Sequence, residues 1–144
     1  MEDFGYSERV RGIFERAAFV NDVGIELQGL GEGWCETSLK LLPKHLQQDN
    51  VVHAGVVATM ADHTAGAAAG TLIQDDQIVL TAEFKINLLR PGRGGKLRCH
   101  SKVLKPGRMF TVVESDVFCN WDGEEKRVAK ALVTLAVVSK DRRS

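Results

Sequence analysis

The 144-residue chain predicts an α+β fold, an antiparallel sheet wrapped around one long central helix. Three observations carry that reading. The run His53–Gly70 (HAGVVATMADHTAGAAAG) is alanine-rich and apolar almost all the way round, and it is long enough for about five turns at ~3.6 residues per turn. Two segments of strand-like alternation precede it and four follow it. Turn-forming residues separate those segments, while no repeat, low-complexity tract or linker divides the chain, so residues 1–144 are read as one domain.

Taken in order, residues 7–19 place Val10, Ile13, Phe14, Ala17 and Ala18 at helical spacing, with Ser7 positioned to cap the start. An amphipathic helix is expected within residues 1–20. Asn21-Asp22 and the glycines at 24, 29, 31 and 33 then cut the chain into short pieces. Ile25–Leu30 and Trp34–Leu42 read as a hairpin about Gly31-Glu32-Gly33, with Cys35, Thr37, Leu39 and Leu41 sharing one face. A loop over Pro43–Asn50 leads into the central helix, which runs out near Leu72-Ile73 before Gln74-Asp75-Asp76. Ile78–Arg90, Lys96–Leu104, Met109–Asn120 and Lys126–Ser139 follow as strands. In the first of these Glu83, Lys85 and Asn87 alternate with Phe84, Ile86 and Leu88. Lys140–Ser144 read as a frayed polar tail.

Nineteen basic and nineteen acidic residues cancel, which gives no overall electrostatic case for nucleic acid. The apolar runs are too short and interrupted for a membrane span. The opening MEDFGYSERVRGIF carries acids and no apolar signal core, so no secretory leader is expected. Cys35, Cys99 and Cys119 are odd in number and lack C-x-x-C spacing; free thiols in a reducing cytoplasm are the expectation.

Chemistry is expected on the central helix. Asp62 and His63 are its ionisable side chains, and a carboxylate in an apolar helix needs a partner, because burying it bare is costly. Every fourth residue along one ridge reads Ala54, Ala58, Asp62, Gly66, Gly70. Asp62 is the one sizeable side chain there, beside room for a ligand or another chain. His45, His53, Asp62 and His63 lack a tight metal-ligand spacing, and no metal is expected.

A loop, then His-x-Gly opening a small-residue helix with a carboxylate, then Thr81-Ala82-Glu83-Phe84-Lys85-Ile86-Asn87 closing on Arg90-Pro91-Gly92, resembles the hotdog-fold acyl-CoA thioesterases. Their phenylacetate-pathway, PaaI-like branch is the most similar, and the likeness covers residues 20–139. The resemblance implies that Asp62 acts as general base or nucleophile and that the Ala54 backbone N–H polarises the thioester carbonyl. It implies that the Gln47 amide helps position water or carbonyl and that the Thr81 hydroxyl lies near the site. His53 is counted with the catalytic group as the residue that orients or caps the loop, and Gly55 and Gly66 are set on the substrate side. Relatives carry serine or threonine at the position of Gly66, so glycine there leaves the acyl pocket open. The resemblance also implies a homodimer or dimer of dimers (a homotetramer) with sites at the dimer interface. It implies no cofactor, coenzyme A being part of the substrate.

Physical chemistry agrees with those roles. Thioester hydrolysis builds an oxyanion that a preorganised N–H stabilises, and a carboxylate can take the proton from water or attack directly. From Ala54 to Asp62 is about 12 Å along one helix, too far for a small thioester to touch both in one chain. Two chains packed helix to helix bring them together. Between Phe84 and Val113 stand eight cations and no acid, and Arg90, Arg93 and Arg108 at turns are candidates for the CoA phosphates. A non-catalytic acyl-CoA-binding module of the same fold is the alternative; the carboxylate on the helix favours the enzyme.

Overall fold

The computed structural model describes residues 5–142, and the expected fraying of residues 143–144 lies outside them. Helices α1 (Gly5–Arg16) and α2 (Ala18–Val23) lead into strands β1 (Glu26–Gly31) and β2 (Trp34–Lys40). Helix α3 (Ala54–Gly70) follows, then β3 (Gln77–Leu88), β4 (Lys96–Lys105), β5 (Phe110–Trp121) and β6 (Glu124–Ser139). The strands form one antiparallel six-stranded sheet in the order β1-β2-β4-β5-β6-β3, and α3 lies across its inner face. This is the expected α+β hotdog architecture, with α3 carrying the chain from β2 to the far edge of the sheet.

The N-terminal helix departs from expectation in two ways. It already includes Gly5, the first described residue, so Ser7 lies within the helix rather than capping it and accepts from Arg11 Nε at 3.4 Å. It also breaks at Ala17 (φ −83°, ψ 82°), because the Asn21 amide donates to the carbonyls of Phe14 and Glu15 at 3.0 and 3.3 Å. The chain restarts as α2, which buries Val20 and leaves Ala18 exposed. At the other end the tail does not fray at once: Lys140–Arg142 form a 3-10 turn, with Lys140 N–H donating to Asp76 O at 2.9 Å.

The alternation read in β2, β4 and β5 puts Cys35, Thr37, Leu39, Leu97, Cys99, Val113 and Val117 into the core. Small polar residues sit among them, directly under α3. Thr37 Oγ1 bonds Thr64 Oγ1 at 2.8 Å, Ser101 Oγ bonds Ser115 Oγ at 2.6 Å, and Ser115 Oγ donates to Ala61 O at 2.8 Å. All four side chains are buried. Their short reach lets the alanine-rich face of α3 settle close to the sheet while each hydroxyl keeps a partner. Burial also pushes the Cys35 and Cys99 thiols up, to about 12 and about 11, so both are unreactive packing groups.

Strand β3 is one of the sheet's two edges, β1 being the other. Leu80, Phe84 and Leu88 are 48%, 41% and 53% exposed, and the strand's outer backbone edge has no neighbour among the described residues. Register against β6 slips between Thr81 and Glu83, leaving Ala82 as the extra residue of a bulge. Thr81 opposes Leu135 and Phe84 opposes Val133, both inward-facing residues of β6. The bulge therefore turns Thr81 and Phe84 to the same, helix-bearing face, which strict alternation forbids for residues three apart.

Removing one hydroxyl of the buried serine pair tests whether these bonds hold the helix. Ser115→Ala is expected to cost about 1–2 kcal/mol in urea unfolding, with little change in slope. Ser101→Ala combined with it should cost less than the sum of the single changes, since the hydroxyls share a bond; strict additivity would count against the pair.

Candidate active site

The start of α3 is built by the loop before it. Buried His45 accepts from Leu42 N–H through Nδ1 at 2.9 Å, and its Nε2 lies 2.5 Å from Val23 O. The first bond leaves Nε2 to donate, so this histidine ties α2 to the loop rather than serving chemistry. The His45 carbonyl accepts from His53 N–H at 2.9 Å. Gly92 O receives Val52 N–H at 3.0 Å, and a Cβ on Gly92 would lie 3.0 Å from Val52 Cγ2, so the Pro91-Gly92 turn packs directly against this loop.

His53 is the N-cap of α3. Its Nδ1 accepts the Gly55 N–H at 2.8 Å, and its carbonyl accepts Val56 N–H at 3.0 Å. The Ala54 N–H, by contrast, has no acceptor among the described residues. It opens on a pocket of about 470 Å³ that Gln47, His53 and Arg90 also line. Gln47 Oε1 takes the Asp49 N–H, which fixes the amide orientation and leaves the Nε2 hydrogens without an acceptor. Gly55, expected on the substrate side, does not line this pocket, and its N–H is engaged by His53, so it offers no donor of its own.

Asp62 is half-buried in the middle of α3 and lines a different pocket, of about 350 Å³. Thr81 Oγ1 donates to Asp62 Oδ1 at 2.7 Å, while Oδ2 meets no donor among the described residues. One oxygen is thus anchored and the other available. Gly66 lines the same pocket, and a Cβ there would meet only Leu135 Cδ2, at 3.7 Å, so the space at this position is open. Gly70 differs from the expected ridge: it is buried and faces Val10 and Ile13 of α1 rather than a ligand. The exposed part of the ridge thus ends at Gly66.

The basic segment does not act as one unit. Arg90 reaches the Gln47–Ala54 pocket and donates to Arg127 O at 2.9 Å. Arg93 is exposed on its turn, and Arg108 lines a separate hollow beside Gln77 and Val137, so neither joins Arg90. Arg98 is held on the outer sheet face by Glu36 and Glu125 at 2.6 and 2.7 Å.

The sequence reading does not single out Arg9, Arg16 or Lys140, all of which line the Asp62 pocket. They come from α1 and from the end of β6, far from Asp62 in sequence, and local patterning carries no signal for such contacts. His63 lines this pocket too, with its ring edge-on to Phe14 at 4.6 Å and its buried Nε2 without a partner among the described residues. Burial pushes its pKa below the usual 6.5, with nearby Asp62 opposing in part, so the ring is neutral at pH 7. Among the described residues no group of three His, Cys, Asp or Glu side chains could hold a metal ion. Among the described residues no helix is long and apolar enough to cross a membrane.

Comparison with known proteins adds the family. Residues 49–126 match the thioesterase superfamily. A crystal structure of a thioesterase family protein from Silicibacter pomeroyi shares 34% identity, covering 94% of this chain and 99% of that one with a TM-score of 0.92. A 1,4-dihydroxy-2-naphthoyl-CoA hydrolase from Listeria monocytogenes is 27% identical, over 82% of this chain and 94% of the relative. The E. coli PaaI protein, from the phenylacetic acid degradation operon, shares the fold with a TM-score of 0.84 at 18% identity, covering 93% and 94% of the two chains.

The neutral His63 makes a pH prediction. Its folded pKa lies below the unfolded value of 6.5, so the unfolded chain takes up the proton first as pH falls. Its contribution to stability is complete above about pH 6.5 and is lost as pH drops from there towards the folded pKa. Urea midpoints from pH 7.5 to 5.5 should fall less steeply for His63→Phe than for wild type; equal slopes would show that His63 titrates alike in both states.

Proposed function

Because the chain belongs to the thioesterase superfamily and is a thioester hydrolase, we propose that it cleaves acyl-CoA thioesters at a site shared between two copies of itself. Asp62 supplies the base or nucleophile, and the Ala54 N–H of the partner supplies the oxyanion donor. The observation that carries this reading is the division of the machinery between two pockets of one chain. Asp62 with Thr81 lines one, and the unengaged Ala54 N–H with Gln47 lines the other. Both are fixed to one rigid helix about 12 Å apart, so no relaxation within a chain unites them.

A second copy joins them. Two-fold packing of α3 against α3 about the stretch between Ala54 and Asp62 sets each Asp62 near the partner's Ala54 and creates two equivalent sites. The open edge of β3 and its exposed Phe84 and Leu88 support this arrangement, since a long unpaired apolar edge is a surface for strand pairing. A dimer of dimers is compatible with the same contact.

In the assembled site the substrate carbonyl points its oxygen at the partner's Ala54 N–H, and the partner's Gln47 Nε2 is a second donor within the same pocket. Thr81 holds Asp62 Oδ1 and leaves Oδ2 to accept a proton from water or to attack the carbonyl carbon. Attack forms the C–O bond and places negative charge on the carbonyl oxygen, where the N–H stabilises it. Collapse breaks the C–S bond and releases CoA thiolate, giving the free acid where water attacked; where Asp62 attacked, water then hydrolyses the Asp62–acyl anhydride to the free acid and restores the carboxylate. Arg90, on the rim of the Ala54 pocket, is placed to meet CoA phosphates from the partner's side. The likeness to a naphthoyl-CoA hydrolase supports a CoA thioester as substrate.

Asp62→Asn keeps an oxygen for the Thr81 hydroxyl but can neither take a proton nor attack. It should fold normally and lose about 10²–10⁴-fold in kcat on the best acyl-CoA of a panel. Retention of more than about a tenth of kcat would remove Asp62 from the chemistry.

Sharing is tested by mixing Asp62→Asn with Ala54→Pro. Proline is well tolerated at the first helical position, and His53 already has the extended backbone (φ −62°, ψ 135°) that a following proline requires. Each variant alone should be inactive. After verified subunit exchange, mixed dimers hold one intact site, and about a quarter of wild-type activity should return for a two-fold dimer. A mixture that stays inactive, or a fully active monomer, rules out the shared site.

A further inference from the structure

The pocket that holds Asp62 also carries two cations that the reaction above does not use. Arg16, at the end of α1, and Lys140, just beyond β6, line it together with apolar Ile13, Val79 and Leu135. Both also line an adjoining pocket of about 350 Å³, which Asp62 and Thr81 do not reach. The cations therefore stand where the two cavities meet, on the side away from the carboxylate. Arg9 lines both cavities too, but its guanidinium is fully engaged by Gly70 O, Ile73 O and Asp75 at 2.7–3.1 Å. Arg16 and Lys140 have no side-chain hydrogen bond or ion pair among the described residues.

The backbone makes room for one of them. A Cβ on Gly12 would lie 2.8 Å from Arg16 Nη1, so the guanidinium lies back against α1 at a position that only glycine leaves clear without displacing it. Asp62 is the one acid lining the first cavity, and His63 beside it is neutral. The cavity thus runs from a carboxylate and hydroxyl, past apolar walls, to Arg16 and Lys140, which form no ion pair among the described residues although Glu8 and Asp75 line the adjoining pocket, Asp75 being held by Arg9.

Resting on the thioesterase reading above, we propose that Arg16 and Lys140 receive an anionic group of the bound thioester, a carboxylate or a phosphate. The two sources correspond to the two ways a thioester can lie in a shared site. With CoA running towards the partner's Arg90, the acyl group fills the Asp62 pocket and its far end meets Arg16 and Lys140, which favours acyl chains ending in a carboxylate. With CoA running the other way, the same cations hold its phosphates.

Binding of non-hydrolysable thioethers separates these cases without relying on turnover. Calorimetry at low salt compares S-hexyl-CoA, S-(5-carboxypentyl)-CoA and the same two groups on N-acetylcysteamine, which has no phosphate. Arg16→Gln and Lys140→Gln, both surface changes, should each weaken binding of the anionic ligands by about three- to tenfold. A loss confined to the two carboxypentyl ligands identifies the carboxylate. A loss shared by the two CoA ligands and absent from both N-acetylcysteamine compounds identifies the phosphates. The proposal is overturned if no ligand loses twofold, if wild type binds none of the four, or if uncharged S-hexyl-N-acetylcysteamine weakens equally. Absence of turnover by wild type across the whole acyl-CoA panel would instead fail the acyl-CoA hydrolysis reading and leave these binding outcomes to be read on their own.

Discussion

The contact between α3 and the sheet governs everything else in this molecule. It is made by alanines on one side and by Thr37, Cys99, Ser101 and Ser115 on the other, so the two surfaces approach closely and every hydroxyl is satisfied. The bond from Ser115 to the Ala61 carbonyl fixes the helix at the residue before Asp62. A helix resting on larger apolar side chains alone has neighbouring positions of similar energy. One pinned by a directional bond from a buried hydroxyl has a single preferred rotation and height. That matters because Asp62 meets Thr81 at 2.7 Å, a distance with little tolerance for sliding.

The same economy is visible in β3. The bulge at Ala82 lets one strand present Thr81 to the carboxylate and then return Phe84 and Ile86 to the helix-bearing face. Without the extra residue, Thr81 and Phe84 would point to opposite sides of the sheet, and either the anchored carboxylate or the apolar edge would be lost. The strand is also the one that α3 leaves partly uncovered, so the Thr81 hydroxyl sits beside the surface where a second copy is proposed to dock.

Much of this was legible in the sequence, for reasons that are local. The small-residue run of His53–Gly70 announces a helix that must sit close to something, and period-two patterning marks β2, β4 and β5 because their inner faces are fully covered. Asp62 stands out because a carboxylate among alanines and glycines demands a partner. What escaped the sequence depends on groups that meet only after folding. Asn21 ends α1 by reaching back to Phe14 and Glu15, a contact that helical spacing at Ala17 and Ala18 does not reveal. The role of Gly70 changed for a similar reason: its bare surface reads as room for a ligand until α1 is seen to occupy it. Arg93 and Arg108 share a basic stretch with Arg90, yet the turns that hold them diverge.

Arg9 distinguishes the two ends of α3. Its guanidinium donates to Gly70 O and Ile73 O, the carbonyls at and just beyond the C-terminus of α3. Peptide dipoles aligned along a helix leave partial negative charge at that end and partial positive charge at the other. Arg9 neutralises the negative pole, while the Ala54 end keeps an unengaged N–H and no acid in its first turn. The N-terminal pole is therefore the end of α3 left open to an anion, and the oxyanion of the proposed reaction would meet the partial positive charge of the first turn there as well as one hydrogen bond.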